Sequence, residues 1–419
     1  MKYLPTIYTI YNILGCNRIP NNPPHPARKD LDLIVIICRH RRRHRLHRCR
    51  RRRHHAMPSA QALPDDLLIK ILLRLPALPS SLPCVSLVCK RWRRLVTDIH
   101  FIDSFHAHHR TPPLLGYFAF LGRFVPTQEP PCRIPPMLFS LNSLVGEKGL
   151  LDCRHGLVLT GATRFIESKF VITEFTVFNP MTRDLGRRTV TSERQSGKLI
   201  AAAVVAAAGG TDRRSFRLIA LFASYQEGGV TASVYSSDSG AWVKSAMGVV
   251  SPSHFAVIYH PSTLVGNAIY WLLRDGEILQ FDLGRHSLAF IEQPPHAVVE
   301  RHRRFIPGFC RWIIPAGDGH LGLAILSERS IQFWKREIGI SSAATWELCK
   351  TVQLDRVLPL ELKEHMSSLE LIGFAEENNV IFISTHDGGV FMTNLESMQF
   401  KKVHTTSTTR YYIHPYSSF

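Results

Sequence analysis

Between Leu63 and Phe101 the chain sets large apolar residues at helical spacing between prolines, and no other stretch restricts its folding as strongly. Pro64 followed by Asp65 and Asp66 marks a helix start. Proline fits the first helical position, where its missing N–H costs nothing, and carboxylates favour the positive end of the helix dipole. Leu67, Leu68, Ile71, Leu72 and Leu75 then step by one, three and four, one broad apolar face on a helix that Pro76 stops. A second helix restarts at Ser80 or Ser81, either of which can cap it, and Pro83 is tolerated there only in the first turn. From Leu82 the apolar positions run through Val85, Val88, Trp92, Leu95 and Ile99, while Lys90, Arg91, Arg93 and Arg94 take the other face. A unit of about 40 residues leaves much of its surface in water. Each leucine left exposed forfeits roughly 1.5–3 kcal/mol, so the surplus stripe predicts a helical partner or a tightly packed neighbour. An ordinary helical hairpin packed on the rest of the chain is the alternative.

Beyond this segment the pattern changes to short apolar or alternating runs divided by turn residues. They include Leu114 to Phe120, Gly156 to Thr160, Val171 to Phe178, Leu199 to Ala207, Phe216 to Phe222, Thr231 to Tyr235, Ala268 to Leu273, Ile278 to Phe281, Leu321 to Leu326, Ile331 to Trp334, Leu371 to Phe374, Val380 to Ser384 and Val390 to Met392. That spacing belongs to an all-β sandwich, barrel or propeller. Repetition selects the propeller. A strand ending in an aromatic residue and a polar turn recurs at Phe178-Asn179-Pro180, Tyr235-Ser236-Ser237, Phe281-Asp282-Leu283, Phe333-Trp334-Lys335 and Phe391 to Leu395, a period of roughly 50 residues, close to one blade. Gly156, Gly266 and Gly319 or Gly322 precede strands, as tight inter-strand turns require.

The series Leu63-Pro64-Asp65-Asp66-Leu67-Leu68, Ile71-Leu72, Arg74-Leu75-Pro76, then Val88-Cys89-Lys90-Arg91-Trp92 and Leu95, resembles the F-box motif. The resemblance implies a small three-helix module over residues 57–105 that docks on a Skp1-like adaptor and through it on a cullin-RING ubiquitin ligase. The adaptor-binding residues it implies are Leu63, Pro64, Leu67, Leu68, Ile71, Leu72, Leu75, Val88, Cys89, Trp92 and Leu95. Trp92 is either core of the module or an interface anchor. The chain departs from the motif at Pro83-Cys84, where leucine and basic residues are more usual. Asp152 to Leu157, Phe178 to Thr182, Val234 to Ser237 with Trp242, Leu264 to Trp271, Ile278 to Leu283 and His320 to Ala324 in turn resemble the β-propeller-like region of plant F-box proteins. Together these imply a small helical F-box followed by an all-β propeller-like domain over 106–419, of six blades with five to seven allowed. The first strand near Leu114 is expected to share a blade with the last near Ile413. The implied role is substrate recognition in a ubiquitin ligase complex, with no catalysis by the chain itself and an unknown target protein held by the propeller loops. An F-box scaffold protein without a degradation role is the alternative within that class.

The net charge of +18 has to be divided before it is read. Residues 1–56 hold 14 Lys and Arg against two Asp, which leaves only +6 for the other 363 residues. The stretch RHRRRHRLHRCRRRRHH, Arg39 to His55, is a candidate nuclear import or phosphate-backbone segment, since clustered guanidinium groups release counterions from nucleic acid. A nucleic-acid-associated protein acting through this Arg-rich N-terminus is a further alternative function, although nucleic acid is not an expected partner. Residues 1–56 read as a disordered extension, with Met57 an alternative start because MPSAQALPDDLL resembles the opening of a compact F-box chain and nothing upstream resembles the family. The apolar run Leu31 to Cys38 falls short of the roughly 20 residues a membrane span needs, and no membrane association is expected. Nine cysteines without a CxxC pair argue for reduced thiols and a cytoplasmic or nuclear location.

Cofactor chemistry finds little footing, and no cofactor or metal is expected. Cys84 and Cys89 with His100, His106, His108 and His109 do not match tetrahedral zinc spacing, and the histidine-rich stretch reads as a solvent-facing linker. Gly317-Asp318-Gly319-His320-Leu321-Gly322 fits GxGxxG, but a strand follows where a phosphate-binding motif needs a helix, so a hairpin turn is expected. His155, His254 and His260 are single histidines without a placed partner.

Overall fold

The computed structural model describes residues 63–119, 122–130, 132–139, 141, 149–166, 170–182, 187–193, 195–206, 215–224, 229–249, 260–273, 276–294, 310–317, 319–327, 330–338, 344–363, 369–403 and 411–419. The Arg/His-rich stretch, Met57 and His254 lie outside these. The chain divides into two compact units. One takes the described residues up to Pro113 together with Gln128–Pro135 and Phe419; the other takes Leu114–Thr127 and Pro136–Ser418.

The first unit is helical. Helix α1 spans Asp65–Leu72, α2 Ser81–Ser86, α3 Lys90–Val96 and α4 Ile99–His109. Where the spacing from Leu82 to Ile99 suggests one continuous helix, the chain breaks twice. Cys89, at the position before α3, is extended (φ −165°, ψ 169°) and makes no side-chain cap bond, and Asp98 caps α4 by accepting from His100 N and Phe101 N. The expected serine cap of α2 is not made. Ser80 occupies the cap position but sends no cap bond, and its Oγ lies 2.9 Å from Cys132 Sγ. The His100 to His109 stretch corrects the linker expectation: it is helix α4, anchored by Phe101 and Phe105, which bury with Leu68, Leu72, Leu75, Val85 and Val96 in one core. The unit thus has four helices among its described residues, one more than the motif implies, because two phenylalanines at i, i+4 give α4 its own apolar face.

The second unit is a six-bladed propeller. The first blade runs Gly149–Arg154, Leu157–Ile166, Phe170–Phe178 and Arg188–Thr191, with Gln195–Ser196 added to its third strand. The second runs Lys198–Ala206, Phe216–Ser224, Gly229–Ser236 and Ala241–Val249; the third Thr263–Val265, Ala268–Leu272, Ile278–Asp282 and Ser287–Ile291. The fourth runs Arg311–Ala316, His320–Leu326, Ser330–Ile338 and Ala344–Gln353; the fifth Glu370–Ala375, Val380–Ser384, Val390–Asn394 and Phe400–Val403. The sixth closes the ring. Leu114–Ala119 pairs with Arg123–Pro126 on one side and with His414–Ser417, from the far end of the chain, on the other.

Second strands such as Phe216–Ser224 and His320–Leu326 are almost wholly buried, since neighbouring blades cover both sheet faces. Apolar clusters accordingly form between blades: Ile219 and Leu221 of the second pack with Trp271 and Phe281 of the third, and Trp312 of the fourth with Phe374 and Ile383 of the fifth. All five aromatic repeats of the sequence fall on third strands, although in the fourth blade the strand continues past Trp334 to Ile338. Two outer-strand tryptophans tie adjacent blades: Trp242 Nε1 donates to Thr191 O at 2.9 Å and Trp346 Nε1 to Glu292 O at 2.8 Å.

Candidate docking face and propeller axis

Helix α1 has two apolar faces. Leu68, Leu72 and Leu75 are buried, whereas Leu63, Leu67 and Ile71, at i, i+4 and i+8, are 41%, 47% and 41% exposed. Pro64 is exposed beside them. Leu87, in the break between α2 and α3, is 45% exposed. The start of α1 is held to α3 by Arg91, whose Nε donates to Asp65 Oδ1 at 2.7 Å and whose second arm donates to Leu63 O. Arg93 Nε reaches back to Ser86 O at 3.2 Å, bracing the break that carries Leu87.

The propeller axis holds a second constellation. Arg154, at the end of the first blade's innermost strand, is buried and gives Nη1 to Asp152 Oδ2 at 2.8 Å and to Val204 O at 3.4 Å. Its Nη2 donates to Ser262 O, Ser262 Oγ and Glu376 Oε1, and Nε to Glu376 Oε2 at 3.0 Å. Asp152 Oδ2 also accepts from Val204 N, and Glu376 Oε1 from Leu264 N. Burial acts against the guanidinium charge, but the Asp152 and Glu376 carboxylates outweigh it and hold the group above its ordinary range. Around this pair lie groups that burial drives toward neutrality. Burial lowers His155, His260 and His414 to about 4 each, and burial beside Glu376 raises Glu377 to about 7. His155 accepts at Nδ1 from Ala206 N at 3.3 Å, which leaves the proton on Nε2, 3.9 Å from Glu377 Oε1. Asp152 to Gly156, Pro261, Ser262, Phe374 to Glu377 and His414 to Ser417 line a well here.

Comparison with known proteins fits this architecture. The family described as "F-box protein AT5G49610-like, beta-propeller" matches residues 149–418, and an F-box-like family matches residues 60–104. The chain belongs to the F-box propeller family. No curated protein matches this F-box propeller. Among solved structures it is similar to Sqt1 of Saccharomyces cerevisiae (13% identity, TM-score 0.33), covering 71% of this chain and 66% of that one. It is also similar to YCF48 bound to D1 peptide (10% identity, TM-score 0.38, 73% and 91%) and to a chain of a nidogen/laminin complex (10%, 0.38, 71% and 97%). The F-box propeller therefore spans just under two thirds of the Sqt1 chain.

Of the docking residues expected in the F-box, the structure brings Leu63, Pro64, Leu67 and Ile71 onto one exposed stripe. Leu68, Leu72 and Leu75 are instead core of the module, because a helix this short, packed on α2 to α4, must spend its central stripe on its own neighbours. Val88, Cys89, Trp92 and Leu95 are half-buried, and Trp92 and Leu95 pack against that core. Leu87 escaped the sequence reading, since on one unbroken helix it falls off the apolar stripe. The axial groups escaped it too: Arg154, His155, Glu376 and Glu377 lie about 220 residues apart in the chain, and only the closing of the ring joins them. Among the described residues no cluster of three or more His, Cys, Asp and Glu could hold a metal ion. The GxGxxG stretch is a hairpin turn between Arg311–Ala316 and His320–Leu326, with Gly319 at φ +78°.

Proposed function

We propose that this F-box propeller is the receptor subunit of a cullin-RING ubiquitin ligase. Its F-box binds a Skp1-like adaptor, and its propeller holds a target protein in the cytoplasm or nucleus. The observation that carries the reading is the stripe Leu63, Leu67 and Ile71, which stays about half exposed although the same helix buries Leu68 and Leu72. A module with an adequate core of its own gains nothing from leaving three leucine-class side chains half in water; each forgoes about 1 kcal/mol relative to full burial, which a partner helix recovers. Holding target and ubiquitin-loaded enzyme together makes transfer effectively intramolecular, so this chain supplies proximity and other subunits the covalent chemistry.

Co-purification of a Skp1-like adaptor with the full chain tests it. Leu67→Asp with Ile71→Asp should abolish capture while the far-ultraviolet spectrum and thermal melt stay those of the wild type, because both side chains already face solvent. Capture undiminished by the double variant, or absent from a folded wild type, would remove the reading.

A further inference from the structure

We propose that the axial well of the propeller receives a positively charged side chain, a lysine or arginine, of a bound target protein. The inference rests on the receptor reading for the source of that side chain, and on the well alone for its chemistry.

Three observations carry it. First, the ionic inventory of the well has one carboxylate too many. Arg154 meets two carboxylates, Asp152 and Glu376, and together with Ser262 and Val204 O they take up its donors on all three nitrogens. No donor is left for Glu377, the third carboxylate. Second, Glu377 feels the Arg154 guanidinium only through space, since none of that group's donors reaches it. His155 lies 3.9 Å away, beyond hydrogen-bond reach, and burial keeps that imidazole neutral at ordinary pH. His414 lines the same well with an imidazole that makes no hydrogen bond to any described residue and that burial likewise holds neutral. Third, the rest of the lining suits the stem of a long basic side chain: Pro261, Phe374 and Pro415 offer apolar surface beside the carboxylate, the division of polar and apolar contact that lysine and arginine side chains use. An anion would meet the carboxylate excess, and the described carboxylates and imidazoles do not converge as metal ligands. A cation on an aliphatic stem remains.

The state of Glu377 fits the assignment. Burial and Glu376 raise it to about 7, so its charge is costly there and is relieved by an incoming cation. The titratable and charged groups around it are Asp152, Cys153, Arg154 and His155 from the first blade, Glu376 from its own turn, and His414 and Tyr416 from the closing blade. Of these, the Asp152 carboxyl is also raised by its burial.

The test is titration calorimetry of the full chain with three pentapeptides, acetyl-Gly-Gly-Xaa-Gly-Gly-amide, in which Xaa is arginine, lysine or norleucine. Binding of an arginine or lysine peptide, with none by the norleucine peptide, is expected, against a protein whose net charge of +18 repels cations at long range. Glu377→Gln should weaken that binding about tenfold or more. Glu347→Gln, on the exposed outer strand of the fourth blade, should leave it unchanged. On the wild type, affinity should rise between about pH 6 and pH 8 as Glu377 ionises, a measurement that stands even where the variant melts early. Failure of both basic peptides to bind, equal binding by norleucine, unchanged binding in Glu377→Gln or a flat pH series would each overturn the proposal. Adaptor capture is read separately, so a silent well in a chain that still captures the adaptor overturns this inference and leaves the receptor reading in place.

Discussion

His260 shows how much a single side chain can hide from sequence. It is buried, its ring centroid 4.0 Å from that of Trp312 and 4.7 Å from that of Tyr412, and its two nitrogens sit against Pro261 O and Arg311 O. Burial outweighs those carbonyls and lowers it from 6.5 to about 4. With the folded value below the unfolded one, the unfolded chain binds the extra proton between pH 4 and 6.5. Stability therefore climbs with pH through that window and is lost on acidification, by at most roughly 3 kcal/mol for one such group. Urea unfolding of the propeller should show this slope, and His260→Phe should flatten it by about one proton; an unaltered slope would mean that the ring is reached by water. As one of several isolated histidines, His260 carried no signal in the sequence. The tryptophan and tyrosine that desolvate it arrive from positions about 50 and 150 residues away.

At the scale of the element, α1 was the most legible piece of the chain and also the most misleading in one respect. Its start at Asp65 and its end ahead of Pro76 follow from the acidic first turn and the proline. Its apolar face reads as one stripe because leucine and isoleucine look alike whether they meet the module's core or a partner. Packing separates them. Leu72→Ala should cost about 2–5 kcal/mol, the transfer and cavity terms of a buried leucine, while Leu67→Ala should change stability by less than about 0.5 kcal/mol, both read from thermal melts of the helical unit. Equal losses would place both residues in the core. The same limit applies to the strands. Second and third strands of the first five blades were visible as apolar runs, but the inner strands Gly149–Arg154, Thr263–Val265 and Arg311–Ala316, and outer ones such as Ala344–Gln353 and Ser287–Ile291, half exposed and mixed in composition, were not picked out as runs. Glycine was the dependable marker: Gly156, Gly266 and Gly319 all take positive φ in the first hairpin of a blade.

For the molecule as a whole, Arg154 links the first blade to the second through Val204 O, to the third through Ser262 and to the fifth through Glu376. Arg154→Met should destabilise the propeller by about 3–5 kcal/mol, since it strands two buried carboxylates rather than merely deleting contacts. Adding Glu376→Gln should cost less than the two single changes summed. Additive losses would show that the ion pair does not bind the ring together. By itself, the amino-acid order determined the helical module's first helix, the all-β character of the remainder and the blade repeat. Each of these depends on local spacing or on a repeat that recurs along the chain. Only the tertiary structure decided which leucines of α1 remain outside, that the histidine-rich segment is a packed helix, and that an arginine, three carboxylates and two imidazoles gather at the axis. Burial and long-range charge depend on what the ring brings alongside, and adjacency in sequence carries no record of it.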